Sequence, residues 1–309
     1  EHYAAARAGY RSAGHRAAEA RVYRKMAGLH WEAGDRDRSL GCVQAGLALL
    51  EGRAEPVALA ALCQEMGRLA FRTGDARRAI GWAEQALAHA RAPAPGDAEA
   101  RREAAAAMAH AYNTLGISLA RLGELEAAVT HLERSIAVAS AEGLLQAACR
   151  GYTNLGVLQS AADPDRAIQT SLQGLELAKK IGDLGHQSRL YANLAVAYCT
   201  LTDRCDDEGL RAAEAAADID RQLGQLDHLA IPLIVLAQIH QCRGDAAAAL
   251  RYYGEALPLA EAAREPQLLF PCYEGLATLH LAGGDPGQAE AYLRRAQQVC
   301  QEAGVESES

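Results

Sequence analysis

The sequence predicts an all-α fold, a right-handed α-solenoid of about seven antiparallel helix pairs. Three observations lead there: a phrase that returns about every 40 residues, small side chains held in register with it, and a glycine–acid breaker at a fixed place inside it. The phrase reads MGRLAFRTGDARRA at 66–79, LGISLARLGELEAA at 115–128, LGVLQSAADPDRA at 155–167, LAQIHQCRGDAAAA at 236–249 and LATLHLAGGDPGQA at 276–289. Self-similarity at this period marks a stacked-repeat architecture, in which each unit buries its apolar face only against its neighbours.

Taking the large apolar residue of the phrase as position 7 gives Met26, Met66, Leu115, Leu155, Leu194, Leu236 and Leu276, at intervals of 40, 49, 40, 39, 42 and 40. The long interval holds RAPAPGDAEA, whose prolines and glycine read as an inserted loop. Position 8 is then Ala27, Gly67, Gly116, Gly156, Ala195, Ala237 and Ala277. Position 20 is Ser39, Ala79, Ala128, Ala167, Gly209, Ala249 and Ala289, and position 27 is Gly46, Ala86, Ser135, Gly174, Ala216, Ala256 and Ala296. Every one is small, as expected where two helix backbones approach closely.

Each unit reads as two helices, because apolar residues recur at helical spacing through 151–161 and again through 164–181. Between them stands Gly34-Asp35, Gly74-Asp75, Gly123-Glu124, Asp163-Pro164, Gly244-Asp245 or Gly284-Asp285-Pro286. Glycine closes a helix in the left-handed conformation, and the acid or proline after it suits the next helix start. Second breakers at Gly143, Gly182 and Gly224 close whole units.

These residues resemble the tetratricopeptide repeat family, whose recognition points are the Leu-Gly/Ala pair, the Gly-Asp turn and the small residues at positions 20 and 27. The aromatic usual at position 4 is matched by Tyr23, Tyr112, Tyr152, Tyr191 and Tyr273. The period exceeds the standard 34 by about 6 residues, so the helices are longer. That is similar to kinesin light chain and to sensor domains of large bacterial regulators, such as ATPase-type transcription activators and multidomain nucleotide cyclases. The resemblance implies an interaction or sensor module.

The frame divides residues 16–305 into repeats near 16–53, 54–91, 98–142, 143–182, 183–224, 225–264 and 265–304, with the inserted loop at 92–97 and a polar tail at 306–309. Residues 1–15 fit the second helix of a truncated preceding repeat: Tyr3 takes position 24 and Ala6 position 27. They are expected to pack on the first full hairpin and to leave an apolar strip open to self-association.

Hydrophobic residues are 50% of the chain and aromatics only 5%, which suits a core of Ala and Leu. No apolar run approaches the ~18 residues of a membrane span. Eight cysteines without CxxC pairing point to reduced thiols and a cytoplasmic location. Walker A, HExxH, GxSxG and GxGxxG motifs are missing. His30, His240 and His280 share position 11, where a packed ring is a better reading than a metal ligand. Asp203, Asp206, Asp207 and Glu208 do not fit a calcium loop. The expectation is a bacterial signalling protein's module with no catalysis, metal or cofactor.

In this repeat class positions 2, 5, 6, 9, 12 and 13 of the first helix line the concave surface. They include Arg21, Arg24, Lys25, Arg68, Arg72, His110, Asn113, Arg121, Arg150, Asn154, Arg189, Asn193 and Gln238, with Glu32, Glu65 and Glu274 as the acids and Trp31 and Phe71 as the aromatics. A net charge of −8 disfavours nucleic acid. A basic groove in an acidic chain suggests an acidic, extended peptide or a partner protein, with the side-chain amides of Asn154 and Asn193 holding its backbone. The alternative is a sensor that closes around a small effector and controls an upstream ATPase, cyclase or DNA-binding domain.

Overall fold

The computed structural model describes residues 2–90, 97–160, 162–201 and 207–302. Among them are fifteen helices and no strand. α1 (His2–Ser12) precedes α2 (Arg16–Glu32) and α3 (Arg36–Leu49), then α4 (Pro56–Arg72) and α5 (Ala76–Ala90), then α6 (Ala98–Arg121) and α7 (Leu125–Ala141). There follow α8 (Leu145–Gln159) and α9 (Pro164–Lys180), α10 (Leu184–Leu201) and α11 (Asp207–Leu223), α12 (Leu226–Cys242) and α13 (Ala246–Ala263), and α14 (Pro266–Ala282) and α15 (Pro286–Glu302). The fold is an all-α solenoid of seven helix pairs. The chain divides into two compact units, residues 1–155 and 156–309, with the division inside α8.

The turns within pairs follow from two side-chain rules. Gly34, Gly74, Gly123, Gly244 and Gly284 all have positive φ, between 77° and 92°, a conformation that L residues with a Cβ seldom adopt. The next residue caps the second helix: Asp35, Asp75, Asp245 and Asp285 each accept a backbone N–H three residues on, at 3.1, 2.9, 3.0 and 3.0 Å. In the fourth pair Asp163 does the same at 3.0 Å and Pro164 occupies the first helical turn.

Inside a pair the helices touch backbone to backbone. A Cβ on Gly67 would stand 3.2 Å from the Ala79 carbonyl oxygen, joining positions 8 and 20. On Gly116 it would meet Leu132 Cγ at 2.6 Å and the Ala128 carbonyl at 3.0 Å. The two serines at small positions spend their hydroxyls on partner carbonyls. Ser39 donates to Ala27 at 2.8 Å, and Ser135 donates to Ala109 at 2.7 Å, each across to the first helix of its own pair. Larger side chains fill the spaces between: Val43, Leu50, Leu62 and Met66 in the first unit, Leu233, Leu236, Ile239 and Tyr253 in the second.

An apolar stretch, LAIPLIVLAQI at 229–239, lies in α12, which continues through Pro232; no described helix is long and apolar enough to cross a membrane. His240 and His280 stack on Tyr252 and Tyr292 with centroids 5.4 and 5.6 Å apart, as packed rings.

Two expectations are corrected. α1 buries no residue, and Tyr3 and Tyr10 are each 41% exposed. It is held to α2 by polar contacts instead, Arg11 on the buried Glu19 at 2.9 Å and Arg7 over the Tyr23 ring at 5.3 Å. The repeat frame assigns positions but not whether a short flanking helix lies close enough to use them. Second, Cys242 is disulfide-bonded, while Cys42, Cys63, Cys149, Cys199, Cys272 and Cys300 are thiols. Scattered spacing carries no sign of such a bond. Asp203 and Asp206, most of the 92–97 loop and the 306–309 tail lie outside the described residues. Asp207 pairs with Arg243.

The contacts rank three substitutions. Leu155, 4% exposed, should lose about 2–5 kcal/mol as Leu155→Ala. Gly116→Leu should cost roughly 1–3 kcal/mol or more by overpacking. Asp165→Ala, in the exposed first turn of α9, should cost under about 1 kcal/mol. Urea denaturation gives the order, and an Asp165 variant less stable than both others contradicts the packing described.

Candidate partner-binding face

In the first unit, α2, α4, α6 and α8 are the first helices of successive pairs, and the repeat puts like positions side by side. Arg21, Arg24 and Lys25 come from α2, Arg68 and Arg72 from α4, His110, Asn113 and Arg121 from α6, Arg150 and Asn154 from α8. Several of these cations are engaged. Arg21 Nη2 meets Glu103 Oε2 at 2.6 Å, Arg68 pairs with Glu65, and Arg72 lies 3.7 Å from Glu32. Glu103 belongs to the N-terminal extension of α6, a 24-residue helix, outside the positions that the repeat frame marks as inward.

The aromatics of this face are covered by cations. Arg72 and Arg36 lie over the Trp31 ring at 5.3 and 5.7 Å. Arg121 lies over Phe71 at 4.1 Å and donates to the Phe71 carbonyl at 3.2 Å. Lys25 is exposed. The asparagines form a ladder with each other: Asn154 Nδ2 donates to Asn113 Oδ1 at 2.8 Å. That bond leaves one donor hydrogen and the oxygen of Asn154, and both donor hydrogens of Asn113.

His110 is the electrostatic centre of the face. Its Nδ1 lies 3.5 Å from Arg150 Nη1. Burial first, then the charges of Arg150, Arg24 and Arg68, push its pKa down to about 3. The ring is therefore neutral at physiological pH.

The second unit carries Arg189, Asn193 and Gln238. Arg189 Nη2 is 2.9 Å from His228 Nε2. The Asn193 amide lies against the Gly156 backbone, 3.1 Å from where a Cβ would stand. Gln238 lines a cavity of about 220 Å³ with Gln241, Cys242, Tyr253, Glu274 and Thr278. Tyr253 donates to Gln241 Oε1 at 3.1 Å and packs on the bare backbone of Gly275. Sequence reasoning missed Tyr253, because a second-helix tyrosine reaches this face only by passing over Gly275.

No group of three or more His, Cys, Asp or Glu that could hold a metal occurs among the described residues. Burial raises the Cys63 thiol to about 11 and Cys272 to about 12, which leaves neither a nucleophile at neutral pH.

A lowered histidine pKa has a signed consequence for stability. Below the ordinary value of 6.5 the unfolded chain binds a proton that folded His110 refuses. Its contribution is thus complete above about pH 6.5 and declines as pH falls toward 3. His110 ring resonances should stay unshifted between pH 7.5 and 4.5 in an NMR titration, and His110→Gln should flatten the stability profile below pH 6.5. A His110 midpoint near 6.5 contradicts the arrangement.

Comparison with known proteins matches this architecture. Family models described as tetratricopeptide repeat match residues 108–142 and 233–302. Comparison with curated proteins yields no match. Among solved structures the chain is similar to the apo form of RapI, with TM-score 0.69 and 11% identity over 93% of this chain and 100% of that one. It is similar to a Signal Transduction ATPase with Numerous Domains protein with a tetratricopeptide repeat sensor from Pyrococcus horikoshii, with TM-score 0.67 and 12% identity over 93% of this chain and 43% of that one. A third is the Rap conjugation gene regulator of the plasmid pLS20 in complex with the Phr* peptide, with TM-score 0.65 and 12% identity over 94% and 76% of the two chains. At these identities the likeness is one of fold. The family matches, the 40-residue frame and the helix pairs agree: residues 108–142 and 233–302 carry tetratricopeptide repeats, and the described helices around them pair in the same way.

Proposed function

We propose that this chain is a non-catalytic interaction module that takes an acidic, extended peptide or a partner protein on the faces of its first helices. The observation that carries the reading is the convergence of Arg21, Arg24, Arg68, Arg150, His110, Asn113 and Asn154 from four successive first helices. Guanidinium groups attract carboxylates over distance, and amides have both donor and acceptor for an extended backbone. Arg189, Asn193 and Gln238 supply the corresponding positions of the second unit. The pLS20 regulator, similar in fold, was solved with a peptide bound, which supports a peptide as ligand. The same reading takes the frame's repeat boundaries as the units of binding and places the protein in the cytoplasm as part of a signalling system.

One observation favours a second reading. The 220 Å³ cavity of the second unit has polar walls from Gln238, Gln241, Glu274 and Thr278, which suits a small polar effector. The Pyrococcus horikoshii protein, similar in fold, contains a tetratricopeptide repeat sensor.

Fluorescence anisotropy with synthetic acidic and basic peptides of equal length, at two salt concentrations, tests the first reading. Acidic peptides should bind and basic ones should not. Arg24→Glu with Arg150→Glu should weaken binding at least tenfold and flatten its salt dependence. Asn113→Ala with Asn154→Ala should weaken it mainly through faster dissociation, with the salt dependence intact. Arg134→Glu with Arg251→Glu, on second helices, should change little. Equal losses from the control and face pairs would mean that net charge drives association, and the reading fails.

A further inference from the structure

Arg264 stands in a backbone conformation that its own Cβ makes costly. At the C-terminal end of α13 it has φ 55°, and among the described residues it is the one non-glycine residue with positive φ. The equivalent turns after α7, α9 and α11 use Gly143, Gly182 and Gly224, with φ between 64° and 69°. Glycine holds that conformation without strain, so the turn itself gives no reason for an arginine.

The Arg264 side chain lines a cavity of about 600 Å³ with residues of α13, α14 and α15. Among the described residues its guanidinium has no ion pair, hydrogen bond or ring contact. The other charges of the cavity are engaged with one another. Glu261 Oε1 accepts from the Tyr273 hydroxyl at 3.0 Å and lies 3.7 Å from Arg295 Nη1. Glu265, next to Arg264 in sequence, accepts from the Gln267 amide at 2.8 Å instead. Pro266, Leu269 and Val299 add an apolar wall.

A cavity built from the same frame positions in the first unit has the opposite balance. It measures about 540 Å³ and joins a tyrosine at position 4, Tyr112, to an arginine at position 26, Arg134. Tyr273 and Arg295 hold those positions in the last repeat. The first cavity is lined by two carboxylates, Glu84 and Glu124, and one guanidinium. The last is lined by two guanidiniums, Arg264 and Arg295, and one carboxylate. It is one carboxylate short.

We propose that this cavity binds a small monocarboxylate with an apolar body, its carboxylate on Arg264 and its hydrocarbon part against Pro266, Leu269 and Val299. The guanidinium fork matches the two oxygens of a carboxylate. An ion pair this exposed is worth little by itself, so burial of the hydrocarbon supplies most of the affinity. The site shares no residue with the peptide face or the 220 Å³ cavity, and it stands or falls independently of both readings.

Ligand-observed NMR titration of the intact chain with acetate, octanoate and octan-1-ol provides the test. Affinity should rise at least about tenfold from acetate to octanoate, and octanol should bind about fivefold more weakly than octanoate. Arg264→Gly and Arg264→Gln should each lower octanoate affinity about fivefold, and Arg264→Lys should keep part of it. Val299→Glu should abolish binding, and Arg134→Gln, in the first unit's cavity, should leave it unchanged. By circular dichroism Arg264→Gly should melt at or above the temperature of the parent chain, because glycine relieves the strain. Absence of saturable octanoate binding, octanol as tight as octanoate, or affinity unchanged in the Arg264 variants overturns the proposal. So does an Arg264→Gly variant that melts below the parent, which would give the arginine a structural purpose.

Discussion

Within each helix pair a glycine or alanine of the first helix meets the backbone of the second, as Gly67 meets the Ala79 carbonyl and Gly116 that of Ala128. Everything else in the structure depends on this approach. A side chain at either place would push the helices apart, and the apolar residues on both sides would lose their contacts. The approach also fixes the pitch. With the pairs locked and the turns set by a left-handed glycine and a capping aspartate, each repeat offers the same helix positions on the same face. A row of side chains 40 residues apart in sequence thereby becomes a row of neighbours, and Asn113 reaches Asn154.

That periodic placement gives the face its chemistry. Repeated arginines on one helix would merely be solvated. On α2, α4, α6 and α8 several of them meet carboxylates, Arg21 with Glu103, Arg68 with Glu65 and Arg72 with Glu32. Burial first, and then the charges of Arg150, Arg24 and Arg68, keep His110 neutral. The result is a donor-rich surface on a chain whose net charge is −8. A partner that carries negative charge gains there and is repelled elsewhere, which favours one face over the rest of the molecule.

The helices, the turns and the pair contacts were legible in the sequence because each rests on a local rule that recurs. Gly34, Gly74, Gly123, Gly244 and Gly284 announce the turn, and Asp35, Asp75, Asp245 and Asp285 announce the cap. The small residues at positions 8 and 20 announce close approach, and the structure places them there. The identities of the inward arginines were legible for the same reason, but their pairing was not. Glu103 sits in an added stretch of α6 that the repeat does not describe, and it takes Arg21. Tyr253 enters the second unit's cavity only because Gly275 lacks a side chain, a relation between two elements that no single phrase contains. Features tied to one place in three dimensions, such as the loose seating of α1 or the bonding of Cys242, leave no periodic trace.

The central claim is that binding takes place on the faces of the first helices. Hydrogen–deuterium exchange of the intact chain, with and without a saturating acidic peptide, tests it most directly. The account predicts added protection in α2, α4, α6 and α8, with α3, α5 and α7 unchanged. Protection confined to the second helices, or no change in the first helices at saturation, would contradict it.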